Sequence, residues 1–533
     1  MINSNKMKTT LRFACLFFIS LIAMVGPASA QLLKKGMAVM THFPGDPNNG
    51  GSNPNCYSLT VFDVRNFASG TPGQNWMAPR LHPTTSDSMQ WKSNAMGFVF
   101  GVTIDDDANI YTTATSSYGG TQLFGSAGAG GIYKIDANTW SVSDFVTTDP
   151  NPSTTSTTKI PNTGCGLGNI CYDHLFNQLF VTNFEDGKIY RIDMAGNILS
   201  KFDPFTLDGG SSSGFAKLGE RLWGIGVYGN STADARIYFS VWNEDGNNSN
   251  SAPPYYNEIW SVALDVNTGN FSGVEQLEIE MPDLVQGYFS NPVSDITFSV
   301  DGRMLLSERS MAGDDIPSAH DSRVFEYWQN GTQWTNSRVI YVGNYGANWN
   351  SAGGSDYGFL RCENGHTMSG CDSMIWSTGD ALRFAGSNPD GGYDYVYGLA
   401  GVSYLGNSNV VANPDYVGRN SYYIDQNGDV NDIPKMGMGD VAVFRQCDYV
   451  PKCIMVNVIT PNDDGINDVF YFDCITNDKW KLHFYDRWGS MVYSSDNYKN
   501  DWEPKSVSDG VYYYVLNGPL EGEKINGFIQ VLH

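Results

Sequence analysis

Two stretches of this chain carry side-chain oxygens at the spacing a hard cation needs. In Asp425-Gln426-Asn427-Gly428-Asp429-Val430-Asn431-Asp432, the residues Asp425, Asn427, Asp429 and Asp432 place oxygens at near-alternate positions, as calcium-wrapping loops do. Such a loop closes with an acid at its twelfth position, which here is Met436. The second stretch, Asn462 to Asp468, crowds Asp463, Asp464, Asn467 and Asp468 into one turn. Asp, Asn and Gly are also the residues of tight hairpins. Each stretch therefore reads both as a calcium site and as a plain turn, and calcium is the one cofactor the sequence suggests.

Other chemistry is thinner. Gly210-Ser211-Ser212-Ser213-Gly214 has the form of a hydrolase elbow, but its flanks offer no strand–turn–helix to strain the serine. Gly224, Gly226 and Gly229 have dinucleotide-loop spacing without a following helix to meet a pyrophosphate, so they read as a glycine-rich strand edge. The histidines show neither H-x-x-x-H nor H-E-x-x-H spacing. No catalytic residue is assigned. Glu185, Asp186, Glu308, Arg309, Asp356 and Asp380 follow strand-like runs and are candidates for the mouth of a channel.

The elements that must hold these residues are strands. GGIYKIDANTWSVSDF (130–145) and GKIYRIDMAGNILSKF (187–202) align without a gap. EIWSVALDVNTG (258–269), RVFEYWQNG (323–331), DVAVFRQ (440–446) and SLTVFDVRN (58–66) echo them. Other apolar runs precede them, as in GVTIDDDANIYTT, NICYDHLFNQLFVTN and VSDITFSVDGRMLLSE, with Asp-Gly, Gly-Asn and Asn-Gly turns between. Four short antiparallel strands in a repeated unit predict a β-propeller of six or seven blades. The interval from 323 to 440 leaves room for two blades, with YVYGLAGVSYLG (395–406) in the extra one. Residues 35–446 loosely resemble the NHL, SMP-30 and YVTN-type propellers. A β-sandwich array is the rival architecture.

The chain of 533 residues has a formal charge of −24. Phosphate backbones and anionic lipid repel such a chain, which argues against nucleic acid as a partner. Lys6, Lys8 and Arg12, the apolar run Phe13–Val25 and Ala28-Ser29-Ala30 read as a signal peptide over 1–30. No later run is long and apolar enough to span a bilayer, so the mature form is expected to have no transmembrane span. Eight cysteines remain beyond that segment. Their even number in an exported chain suggests disulfides. Proximity pairs Cys165 with Cys171 and Cys362 with Cys371. The others pair as Cys56–Cys447, closing the large domain, and Cys453–Cys474, although sequence alone leaves the connectivity open.

The last stretch reads VNVITPNDDGINDVF, LHFYDRWGSMVYSSDNYKNDW, SDGVYYYVL and NGFIQVL in that order. Six or seven short strands in about 80 residues suit a small β-sandwich. The blocks resemble the gliding-motility-associated C-terminal domain, the type B sorting domain of type IX secretion. Thr460, Pro461, Asn462, Asp464, Gly465, Asn467, Asp468, Arg487, Trp488, Gly489, Tyr493, Trp502, Gly510, Tyr512, Tyr513 and Tyr514 carry the resemblance. Asp463, Asp486, the segment after Trp502 and the terminal His533 depart from the family's usual pattern. The resemblance implies a Gram-negative source and passage through the periplasm and outer membrane to the surface or the medium. It implies the type IX machinery and an outer-membrane protein as partners.

The expected organisation is all-β: signal peptide 1–30, propeller 31–446, linker 447–455 and sorting domain 456–533. Two activities fit the front. One is a binding or adhesion module for an extracellular glycan or protein, whose aromatic and Asn-rich loops suit sugars. The other is a secreted hydrolase or lyase acting on polysaccharide, calcium-dependent if the oxygen-rich loops hold a cation. The lack of a nucleophile or ligand motif favours binding.

Overall fold

The computed structural model describes residues 32–43, 55–65, 70–83, 90–118, 124–151, 155–205, 214–243, 256–282, 290–331, 333–343, 349–359, 362–363, 366–367, 374–383, 395–403, 420–428, 437–445, 458–462, 467–471, 480–517 and 524–533. The expected signal peptide lies outside these. Among them the single α-helix is the one-turn Ser93–Met96, and all other regular elements are strands. No helix of the described residues is long and apolar enough to cross a membrane.

The front of the chain winds through six sheets of four or five strands. Their innermost strands are Val99–Ile104, Leu167–Asp173, Arg221–Tyr228, Val293–Phe298, Trp349–Gly358 and Gly437–Val443. Each of these packs beside the next, and Gly437–Val443 packs back against Val99–Ile104. The arrangement is propeller-like. From the inner strand each sheet steps outward antiparallel, as in Leu167–Asp173, Gln178–Asn183, Ile189–Asp193 and Ile198–Phe202.

The Ile-Tyr repeat is the third strand of its sheet: Ile132–Ile135, Ile189–Asp193, Glu258–Leu264, Val324–Asn330 and Tyr395–Ser403 all hold that place. Alternate apolar side chains face the neighbouring sheets, so Tyr190 and Ile192 meet Tyr111 and Ile132 in one buried cluster. The hairpins turn where the sequence places Asp-Gly. Gly302 adopts φ +81, which a residue with a Cβ rarely adopts.

One echo was misassigned. DVAVFRQ supplies an innermost strand instead of a third strand. Gly437–Val443 completes the sheet begun by Ala38–Phe43 and Leu59–Phe62, with Ala38 opposite Val443 and Met40 opposite Val441. Among the described residues the interval from 323 to 440 holds one further five-stranded sheet, which includes Tyr395–Ser403, and the two-stranded ribbon of Cys362–Glu363 with His366–Thr367. Backbone pairing between the two ends of the front region makes the seam for which Cys56–Cys447 was invoked.

The described disulfide candidates are also corrected. Cys56, Cys165 and Cys171 carry thiols. Residues 165 to 171 run almost wholly along an extended strand, which separates their Cα atoms by about 20 Å, far beyond disulfide reach. Cys165 and Cys171 belong to two different buried clusters. Cys371, Cys447, Cys453 and Cys474 lie outside the described residues, and of Cys362 only the backbone is described.

The tail forms one five-stranded sheet in the order Val458–Ile459, Lys524–Val531, Gly510–Asn517, Lys481–Tyr485, Met491–Ser495. Its core contains tail residues alone, among them Ile459, Phe470, Phe484, Tyr498, Trp502 and Tyr514. The expected second sheet is absent among the described residues. Val469–Tyr471 has no strand ladder, and Phe470 N–H instead donates to Trp502 O at 3.0 Å. Irregular segments bearing Phe470, Tyr498 and Trp502 cover one face of the sheet.

Candidate functional site

Around the axis of the front region, the inner strands alternate glycine with a polar side chain: Gly101, Asn169, Gly224, Asp295, Gly354, Asp440. Close packing imposes this alternation. A Cβ on Gly101 would lie 2.5 Å from Asn169 Oδ1, and one on Gly354 would lie 2.5 Å from Asp440 Cα. Each polar side chain takes up the space its neighbour leaves.

Three carboxylates, Asp295, Asp356 and Asp440, line this region, and Asp356 was among the sequence candidates. Every oxygen of the three is engaged. Asp440 accepts from Val441 N at 2.7 Å and, across the sheet boundary, from Val102 N at 3.1 Å. Asp295 accepts from Ser355 N at 2.9 Å and from Asn169 Nδ2 at 3.1 Å. Asp356 accepts from Tyr357 N at 2.8 Å, Val443 N at 2.8 Å and the Arg445 guanidinium at 2.8 Å. These groups tie five of the six inner strands to one another.

Burial pushes Asp440 up to about 8, against the hydrogen bonds from Val102 and Val441 that favour its charge. Burial, then the charge of Asp440, raises Asp295 well above the usual carboxylate range. The two therefore resist carrying full charge together.

Beyond these acids, at the finishing ends of the inner strands, a cavity of about 600 Å³ opens. Tyr172, Tyr228, Phe298, Thr297, Arg445 and His174 are among its lining residues. Tyr228 stacks on Phe298 with centroids 5.1 Å apart. Tyr172 hydroxyl donates to Asp106 and Asn177. At the starting ends of the same strands, an aromatic cluster gathers Phe43, Phe98, Phe100, Phe184, Trp223 and Trp242 from successive sheets. Phe43 stacks on Tyr118 at 3.5 Å, whose hydroxyl donates to Met438 O and Ala352 O. The cavity thus opens at the end opposite this cluster.

The other sequence candidates fall elsewhere. Glu308 is buried in a two-pronged pair with Arg323, at 2.6 and 2.7 Å. Arg309 pairs with buried Asp380 at 2.6 Å and lies over Tyr118. Glu185 accepts from Thr163, and Tyr190 donates to Asp186. In the first calcium candidate, Asp425 Oδ2 accepts the N–H groups of Asn427 and Gly428, which is how an Asx turn is made. Asp429 and Asp432 lie outside the described residues. In the second, Asp468 accepts Asn462 N at 2.9 Å and Asn467 has φ +56, again a turn, while Asp463 and Asp464 are outside the described residues. No group of three or more metal-type ligands gathers among the described residues.

In the tail, Trp502 stacks on Phe484 at 3.9 Å and Tyr493 joins Trp502 at 5.2 Å. Tyr512 and Tyr514 are buried, and Tyr513 between them is 51% exposed. Asp486 Oδ1 accepts the N–H groups of Trp488 and Ser490, and Gly489 takes φ +82, closing a tight turn. That turn presents Trp488 at 80% exposure, with the Arg487 guanidinium 5.2 Å from its ring. Asp464 and Gly465 are outside the described residues.

Residues 453–531 match the family model of CHU_C, the type IX secretion signal domain. Such a signal directs export to the cell surface or beyond it. No curated protein matches the chain. Among solved structures, PorZ of Porphyromonas gingivalis, an essential surface component of the type IX system, is 12% identical with a TM-score of 0.32, covering 90% of this chain and 63% of PorZ. This chain therefore spans less than two thirds of PorZ. The periplasmic gluconolactonase PpgL of Pseudomonas aeruginosa is 10% identical with a TM-score of 0.36, covering 76% and 99% of the two chains. A 6-phosphogluconolactonase-like protein of Bacteroides fragilis is 10% identical with a TM-score of 0.35, covering 86% and 93%. At such scores the fold has to be argued from this chain's own sheets.

Proposed function

We propose that the six front sheets are the blades of a closed propeller spanning about residues 31–446, joined through 447–455 to the sorting domain at 456–533, and that this propeller binds an extracellular glycan in its axial cavity. The observation that carries this reading is the state of the axial carboxylates. All six of their oxygens already accept hydrogen bonds from the protein. They stiffen the floor, each acid being engaged in tying one inner strand to another. The wall above offers what a sugar needs: ring faces from Tyr172, Tyr228 and Phe298, and polar groups from Thr297 and Arg445.

The polysaccharide hydrolase or lyase reading keeps one observation on its side, the convergence of three acids on one axis. One experiment separates the two readings. The mature chain is applied to a glycan array, and array hits are then incubated with it, with and without EDTA. Binding without turnover, weakened about tenfold by Tyr228→Ala, is expected, since a stacked ring at the centre of a site contributes on that scale. Turnover abolished by EDTA would replace this reading with a calcium-dependent enzyme.

A further inference from the structure

Among the described residues, the outer face of the tail sheet carries an exposed apolar row. Its inner face buries Leu482, Phe484, Tyr512, Tyr514, Leu516 and Ile529. On the outer face a single row crosses four strands: Met491 opposite Tyr485, Tyr485 opposite Tyr513, Tyr513 opposite Phe528. Met491 is 55% exposed, Tyr513 51% and Phe528 60%, with Val511 beside them at 41%. Three strand spacings make this row about 15 Å long. The turn carrying Arg487 and Trp488 joins the strands of Tyr485 and Met491 and so prolongs the row at one end.

The charge pattern is equally one-sided. Acids outnumber bases 56 to 32 in the whole chain. Yet among the described residues, no outward position on these four strands holds Asp or Glu, while Lys481 is exposed there and Arg487 at the turn. The described acids that flank these strands, Asp486, Asp496 and Asp509, sit outside them: Asp486 is engaged with the turn backbone, Asp496 lies 3.7 Å from Lys481 Nζ, and Asp509 holds His533.

From this we infer that the Met491–Tyr485–Tyr513–Phe528 row, with Arg487 and Trp488, is the surface read by the secretion machinery, through an apolar protein patch bordered by carboxylates. The inference rests on the export reading of the tail. The apolar row supplies contact area, exposed Trp and Arg are the side chains that anchor interfaces, and the lack of acids on the face selects an acidic rim.

The test is export of the full chain in a bacterium that has type IX secretion, read as the fraction reaching the surface and medium. Tyr513→Asp with Phe528→Asp is expected to lower that fraction about tenfold or more, and Trp488→Ala about threefold, the range of central interface contacts. Val274→Asp, at an 80% exposed apolar position of the front region, should leave export unchanged. Tyr513→Ser with Phe528→Ser keeps the face neutral, and protease resistance checks that its tail is folded. Folded Ser variants exported at the unmodified level would overturn the assignment of the face. A chain ending at Arg445 that still reached the medium would instead overturn the export reading itself.

Discussion

The front region and the tail solve the same problem, burying the faces of short strands, in opposite ways. The front ties its ends and its sheets together. Its first and last strands pair, and buried carboxylates and Asn169 tie inner strand to inner strand. The tail leaves its sheet open. Among its described residues no charged or amide side chain is buried, and one face of the sheet keeps an apolar row exposed. A structure that satisfies its own surfaces makes a rigid platform with a cavity. A structure that leaves one face unsatisfied is suited to be held by something else. The division matches the division of labour proposed here, binding in front and export behind.

The largest effect expected from breaking this contrast is in the tail core. Trp502→Ala removes the ring stacked on Phe484 and should destabilise the tail by about 4 kcal/mol while leaving the front untouched, as calorimetry of the variant would show. Next is the axis of the front. Gly354→Ala drives a Cβ against the backbone of Asp440 and should cost the front about 3 kcal/mol in denaturant unfolding.

Asp440→Ala comes third. It leaves Val102 N–H and Val441 N–H without their acceptors, a loss of about 2 kcal/mol at pH 5. That loss should shrink with pH. Burial raises Asp440 to about 8 in the folded state, and Asp295 is raised too. The folded front thus holds protons that the unfolded chain releases near 4. Stability must fall as pH climbs from about 4 to about 8. The tail's exposed Asp509 is shifted the opposite way, lowered by its hydrogen bonds from His533, so it does not share this fall. Melting temperatures from pH 5 to 9 would show a declining front transition, and Asp440→Ala would flatten the decline. The smallest effect is Trp488→Ala, which should change stability by under about 0.5 kcal/mol because the ring is exposed.

Much of the fold could be read in advance because hairpins are local. Asp-Gly and Gly-Asn turns between apolar runs mark where strands begin and end, and the Ile-Tyr repeat marks the third strand of each unit. The pairing of the two ends could not be read this way, since Ala38 and Val443 are distant in sequence and share no local signal. DVAVFRQ resembles a third strand in composition, and only pairing with the first strands reveals its place. The axial polar groups were missed for a related reason. Gly101-Val102, Asn169-Ile170, Gly224-Ile225, Asp295-Ile296 and Asp440-Val441 form a pattern of small or polar residue before a β-branched one. It becomes visible once the inner strands are aligned with each other, not with the more conspicuous Ile-Tyr strands. Asp425 anchors a turn, and a carboxylate that does so occupies the same kind of sequence as one that binds calcium, so the sequence alone does not separate the two. In the tail, the blocks themselves showed the relationship, but which side of Tyr512-Tyr513-Tyr514 faces outward depended on the register with Phe528.

The contrast between a self-contained front and a separate tail is tested most directly by a calorimetric scan of the mature full-length chain, alone and with Trp502→Ala or Asp440→Ala. Two transitions are expected, with Trp502→Ala lowering one and Asp440→Ala the other. One cooperative transition that both substitutions shift together would show that the two regions fold as one, contradicting the account.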